Sequence, residues 1–275
     1  MKKLLSKLAI LVVMATNLPF SGLSALALTE RSPDQQAAIG IISESAAKST
    51  KVRDIFGVLS SQARRTKQRI FSVLDSDIDM NKLGRVLSEN GGNKTAFFEN
   101  LSLLDNVNIK RIVKDEKLMK RMIKDTGFYK KFEISEVQNS QVVNDIFVDD
   151  GRFSPYKNNS LVLTMRTSEQ VNGEFVRFYR EDLGNKVSSW TMRKTDVVDE
   201  RGALLPIVVI QSKFAIPGVA PTHLVDVNLP ANVDIRYSIA KAQPQLGLEG
   251  GGEQFEITSD LSADWFDYER LLNEF

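Results

Sequence analysis

The feature that most constrains this chain is a change in the spacing of its apolar residues. From Ser32 to about Val137 they recur every three or four positions, as in Ile39, Ile42 and Ala46, then Val52, Ile55, Phe56 and Leu59. From Leu161 onward the runs alternate or are rich in β-branched residues: Leu161 to Thr167, Phe175 to Arg180, Val187 to Met192, Thr222 to Leu229, Val233 to Ala240 and Glu253 to Ile257. The first period suits helices that bury one stripe, the second strands that bury one face. Kept in separate blocks, they predict an α+β fold: an N-terminal α-helical bundle of four to six helices followed by a mainly antiparallel, β-rich module. Between the blocks, Gln138 to Asn159 shifts to Asn, Asp, Ser, Gly and Pro, which places a domain boundary near residue 140.

Within this frame several local signals give finer expectations. Ser32-Pro33-Asp34 is a helix start, Asp77 and Asn81 are further starts, and Gly91-Gly92-Asn93 is a break. Asn172-Gly173 and Gly184-Asn185 read as turns, and Leu229-Pro230-Ala231-Asn232 reads as the turn between two strands. Leu204 to Phe214 suits a short helix with Pro206 in its first turn, or a strand by its β-branched content. Leu261 to Phe275 is expected to be a terminal helix docking Trp265, Phe266, Tyr268, Leu271 and Leu272.

The first 27 residues read as a secretory signal peptide. Met1-Lys2-Lys3 with Lys7 forms a positive start, Leu8 to Phe20 a short apolar core, and Ala25-Leu26-Ala27 a small-x-small cleavage pattern. The expected organisation is therefore 1–27 signal peptide, 28–140 helical region and 141–275 α+β domain. The protein is then exported to the periplasm or the extracellular space, with no membrane span after signal-peptide removal. Without cysteine there is neither a lipoprotein anchor nor a disulfide framework. A net charge of +1 supplies no global field for nucleic acid. The lysines and arginines from Lys110 to Lys124 are interrupted by Asp115 and Glu116 and lack interleaved aromatics, so they read as solvated helix faces.

Chemistry-bearing residues concentrate between Phe214 and Ile257. This span holds the only histidine, His223, and the run Gly250-Gly251-Gly252-Glu253-Gln254-Phe255-Glu256. On a strand Gln254 and Glu256 share one face, and consecutive glycines let backbone bend or lie against a ligand. One histidine and no cysteine serve metal catalysis poorly, so no metal site is expected. No Gly-x-Ser-x-Gly elbow, phosphate loop or dinucleotide fingerprint is present.

Trp190-Thr191-Met192, Phe214-Ala215-Ile216-Pro217, Pro221-Thr222-His223, Val227 to Ala231 and Gly250 to Glu256 together resemble the C-terminal toxin modules of polymorphic bacterial effectors. More distantly they resemble the tuberculosis necrotizing toxin family of NAD glycohydrolases. By that resemblance Gln254 falls on the functional glutamine and His223 near a family histidine. The segment Gln243-Pro244-Gln245-Leu246-Gly247 departs from it by lacking an aromatic. A second resemblance, to the ADP-ribosyltransferases, lies in the order Tyr179-Arg180, Ser188-Ser189 and Gln254-x-Glu256.

Both resemblances imply NAD or NADP as substrate rather than cofactor. Nicotinamide leaves as a neutral ring, so the site has to hold the diphosphate and stabilise a ribosyl oxocarbenium ion. Arg180 is the expected diphosphate ligand, with Ser189, Trp190, Phe214, Gly251 and Gly252 lining the substrate. Gln254, Glu256 and His223 are the expected catalytic residues. The resulting expectation is an exported NAD glycohydrolase with a neutralising immunity protein as partner. ADP-ribosyl transfer, a ribonuclease built on His223, and a non-catalytic binding module are the alternatives.

Overall fold

The computed structural model describes residues 80–89, 94–182 and 186–272. The signal peptide, the helix starts at Ser32 and Asp77, the break at Gly91 and the turn at Gly184-Asn185 lie outside them. The chain divides into two compact units, Met1–Lys130 and Lys131–Phe275. No helix among the described residues is long and apolar enough to cross a membrane.

Five short helices make up the described part of the first unit: α1 (Met80–Glu89), α2 (Lys94–Ser102), α3 (Asn106–Lys114), α4 (Glu116–Lys124) and α5 (Thr126–Tyr129). Each presents an apolar stripe inward, for example Phe97, Phe98 and Leu101 from α2 and Leu118, Met119, Met122 and Ile123 from α4. Aspartates punctuate the series. Asp105, Asp115 and Asp125 each accept a hydrogen bond from the backbone N–H three residues on, at 2.8, 3.0 and 3.3 Å. Asp115 also ends α3, since its own N–H donates to the carbonyls of Arg111 and Ile112. Replacing Asp115 with alanine is expected to destabilise this unit by about 1 kcal/mol in urea denaturation, because it removes the acceptor at one junction of two helices.

The second unit is built on one eight-stranded sheet, antiparallel throughout. Its strands are β1 (Phe132–Asn139), β2 (Leu161–Thr167), β3 (Val171–Tyr179), β4 (Trp190–Arg193), β5 (His223–Leu229), β6 (Asp234–Ile239), β7 (Glu253–Ile257) and β8 (Phe266–Leu271), in the order β1-β2-β6-β7-β4-β3-β5-β8. Helix α6 (Ser140–Asp149) follows β1, and α7 (Ile207–Lys213) lies between β4 and β5. The α+β class and the antiparallel pairing agree with the change in apolar period, and strands occupy every run that alternation marked.

Four finer expectations need correction. The helical pattern does not extend to Val137: Phe132–Asn139 pairs with β2 on both sides of a register shift at Ser135, and the units divide after Lys130. The segment after Leu261 forms a 3-10 turn at Ala263–Trp265 and then β8, which pairs with β5; its aromatics at 265, 266 and 268 fit a strand edge as well as a helix stripe. Leu229–Asn232 does not close a hairpin, because β5 pairs with β3 and β8 while β6 pairs with β2 and β7. Asn172-Gly173 is a register shift within β3, with Gly173 at φ 70°, rather than a turn between strands. The segment Leu204–Phe214 resolves into α7, with Pro206 capping it.

Register divides the sheet's side chains between two faces. Phe255 packs on Phe175 and Tyr237 at centroid distances of 4.9 and 5.0 Å, and Phe175 reaches Phe132 of β1 at 6.3 Å. Contact between β1 and β3, which lie far apart in strand order, shows the sheet curving around this aromatic core. Gln254 and Glu256 belong to the other face with their cross-strand partners Met192 and Trp190.

Candidate functional site

Strands β3 and β4 pair only at Phe175 with Arg193 and Val176 with Met192, after which the two chains separate. A cavity of about 750 Å³ opens at that separation, within the range of about 300–1,000 Å³ usual for small-molecule sites. Residues 177–180 form one side, Ser188, Trp190, Thr191 and Met192 the other, and the loop from Phe214 to Pro221 and Gln254 contribute further walls. Among the described residues its lining includes three arginines, Arg152, Arg177 and Arg180, and no aspartate or glutamate. Aromatic rings surround these charges: Phe147, Phe153, Tyr179, Trp190 and Phe214.

Trp190 is fixed by a ring cluster, with centroids 6.1 Å from Phe147 and 6.0 Å from Tyr156. Helix α6 holds that cluster through Asn144, fully buried, whose side-chain amide donates to the Tyr156 carbonyl at 2.7 Å and whose oxygen accepts from the Tyr156 N–H at 3.0 Å. Phe153, by contrast, is 82% exposed and stands free at the rim, where a planar ligand ring can cover it.

The arginines differ in setting. Arg177 donates to the carbonyls of Lys186 and Trp190 at 3.1 and 3.2 Å, and so ties the separated chain to β3. Burial lowers its guanidinium to about 10, which leaves it charged at neutral pH. Arg152 lies 4.3 Å from the centroid of the Phe147 ring. Arg180 holds Asp182 in a two-pronged pair at 2.8 and 2.6 Å, and that pairing keeps the Asp182 carboxyl below its ordinary range. An anion binding at Arg180 competes with Asp182. Replacing Asp182 with asparagine is therefore expected to tighten pyrophosphate binding about two- to fivefold in calorimetric titration, the scale of an exposed pair.

Of the residues singled out from the sequence, Arg180, Trp190, Phe214 and Gln254 converge on this cavity. Gln254 is 9% exposed and donates through its amide to the Pro155 carbonyl at 3.1 Å, which leaves its side-chain oxygen facing groups other than that carbonyl. Ser188 lines the cavity in place of Ser189, whose carbonyl accepts from the Ile257 N–H. His223 does not line it. Its ring stacks on Tyr179 at 5.1 Å and its Nδ1 lies 2.8 Å from the Thr222 hydroxyl.

Glu256 also stays out of the lining, because other partners claim it. Its Oε2 accepts from the Tyr156 hydroxyl at 2.9 Å and from Arg236 at 3.1 Å. Burial, together with the neighbouring carboxylate, pushes the Tyr156 hydroxyl well above its ordinary range, so it remains a protonated donor.

The glycine run shapes the site indirectly. Gly251 and Gly252 do not line the cavity, but a Cβ on Gly252 would lie 2.6 Å from a ring carbon of Phe214, which does. Gly250, at φ 66°, lets its backbone approach that of Ala240 to Ala242. The shelf thus packs behind Phe214, outside the lining.

Sequence reasoning missed Arg177, Arg152, Phe153 and Tyr156. A trace of Arg177 was available: it interrupts the apolar run Phe175-Val176-Arg177-Phe178-Tyr179, and a charge set in such a run has to be satisfied internally.

Fold and site together define an α+β unit whose antiparallel sheet opens onto an aromatic-walled, arginine-bearing cavity. Comparisons with protein-family models, curated proteins and solved structures find no match to this chain.

Proposed function

We propose that the second unit binds NAD or NADP in the cavity between β3 and β4 and hydrolyses the bond between nicotinamide and ribose. The observation that carries this reading is the joint presence in one cavity of three arginines, with no carboxylate among the described lining residues, a set of aromatic rings and the Gln254 amide. Guanidinium groups match a diphosphate, the rings match two nucleobase-like planes, and an amide both donates to and accepts from ribose hydroxyls.

In the reaction the C–N bond between ribose and nicotinamide breaks with its electron pair leaving on the ring nitrogen. That neutralises the pyridinium and leaves positive charge on the ribose. Water adds to the ribosyl carbon and releases one proton to solvent, giving ADP-ribose and free nicotinamide. A cationic electrophile of this kind needs little basic help, so a cavity without a carboxylate suffices. The ties of Glu256 to Tyr156 and Arg236 favour hydrolysis over transfer, since a transferase would draw on that carboxylate to activate its acceptor.

Residues 1–27 add the expectation that the enzyme acts after export, as a toxin-like effector, and that a producing cell restrains it with an immunity protein. The test is nicotinamide release from NAD and NADP by the full chain, followed by chromatography. Gln254→Ala is expected to lower the rate about 100-fold, the effect of losing one positioned hydrogen-bonding group. No release above background by folded wild-type protein defeats the proposal, and label from NAD appearing on protein defeats hydrolysis in favour of transfer.

A further inference from the structure

A second cavity, of about 440 Å³, lies in the same unit and shares no lining residue with the first. Its walls are aliphatic, drawn from Val198, Leu204, Leu205, Ile207 and neighbouring side chains, and the charged residues among its described lining are Lys194 and Arg270, both cationic.

Its main wall is built in advance of any ligand. Asp199 closes the turn from Val198 to Leu204 by accepting from the N–H groups of Arg201 and Ala203 at 2.9 Å each, and the Leu205 N–H donates to the Val197 carbonyl at 2.9 Å. A turn so thoroughly hydrogen-bonded keeps its shape, yet Val198, Leu204 and Leu205 stay only partly buried against the core cluster of Val176, Val197 and Leu224. Aliphatic side chains held half-open around a hollow lower their free energy when an apolar tail fills it.

Lys194 and Arg270 reach a common carboxylate, Asp226, which stands outside the lining. The Lys194 and Arg270 side chains are 41% and 34% exposed, so solvent reaches both while they hold Asp226.

We infer that this cavity binds a medium-chain aliphatic carboxylate, its tail among Val198, Leu204, Leu205 and Ile207 and its head between Lys194 and Arg270. An alcohol of the same length offers no charge to those two groups, and an alkylammonium ion is disfavoured by the net positive charge that Lys194 and Arg270 keep against Asp226. The site is separate from the one proposed for NAD, and either reading can fail without the other.

The experiment is calorimetric titration of the full chain with sodium decanoate, decan-1-ol and decyltrimethylammonium, each below its aggregation limit. Thermal denaturation is run in parallel, since a ligand that binds only the native state raises the midpoint. Saturable decanoate binding is expected, with markedly weaker binding of the alcohol and none of the ammonium ion. Lys194→Met is expected to weaken decanoate about tenfold, and Leu204→Trp, which fills the hollow, to abolish binding. Should Leu204→Trp fail to fold by circular dichroism, the Lys194→Met result decides. Absence of saturable decanoate binding, equal binding of the ammonium ion, or binding unchanged in Lys194→Met overturns the inference. Decanoate that binds only when presented in phosphatidylglycerol vesicles also overturns it, because the cavity then serves a membrane surface and not a free acid.

Discussion

Replacing Gly250 with alanine is expected to destabilise the second unit by about 2–5 kcal/mol, combining the left-handed backbone penalty with a forced displacement of packed atoms. At φ 66° the residue sits where an L side chain is strained. The added Cβ would also lie 2.6–2.7 Å from backbone atoms of Ala240, Lys241 and Ala242, none of which can rotate away as a side chain would. Those backbone atoms are held in place: the Gly251 N–H donates to the Ala240 carbonyl, and the Ala240 N–H donates to the Gly252 carbonyl. Urea denaturation of the variant measures the loss. Gly251→Ala is the control, because it has a similar φ of 91° but open space around its Cβ, and only the backbone part of the penalty is expected there. Equal losses in the two variants would show that the close approach at Gly250 contributes nothing.

Glu256→Leu is the second large expectation, at about 2–4 kcal/mol, the scale of breaking a buried charge pair discounted because Arg236 keeps a third of its side chain in solvent. The leucine leaves the Tyr156 hydroxyl buried without its acceptor and Arg236 without its carboxylate. Glu256→Gln keeps an oxygen for Tyr156 and is expected to cost about 1 kcal/mol. Nicotinamide release per folded molecule then separates structure from catalysis. If Glu256 only holds Tyr156, the glutamine variant retains wild-type turnover within about threefold, whereas removal of a positioned acid or base typically lowers turnover by at least 100-fold.

These two cases show where sequence reading reached and where it stopped. Alternation located every strand of the second unit except β1 and β8. In β1 the polar positions Glu133, Ser135 and Glu136 dilute the period, and a register shift between Ile134 and Glu136 breaks it. Gln254 and Glu256 were expected on one face, which the period of two guarantees for any strand. It does not say what that face meets. Trp190 and Phe214 were recognisable as rings that a ligand can use, and both reached the cavity because they flank the place where β3 and β4 part.

What the sequence alone determined is the α+β class and most strand positions, because each rests on local spacing; Arg180, Trp190, Phe214 and Gln254 were singled out by resemblance and residue chemistry, and only the fold brought them to one cavity. The tertiary structure alone decided which strands are neighbours, since backbone pairing between β2 and β6 or β4 and β7 leaves no mark in either strand by itself. It also decided the fates of the two residues that share a strand face: Gln254 opens onto the cavity while Glu256 is claimed by Tyr156 and Arg236. The physical reason is that a buried charge is satisfied by whichever partners the fold brings within about 3 Å, and those partners come from segments distant in the chain.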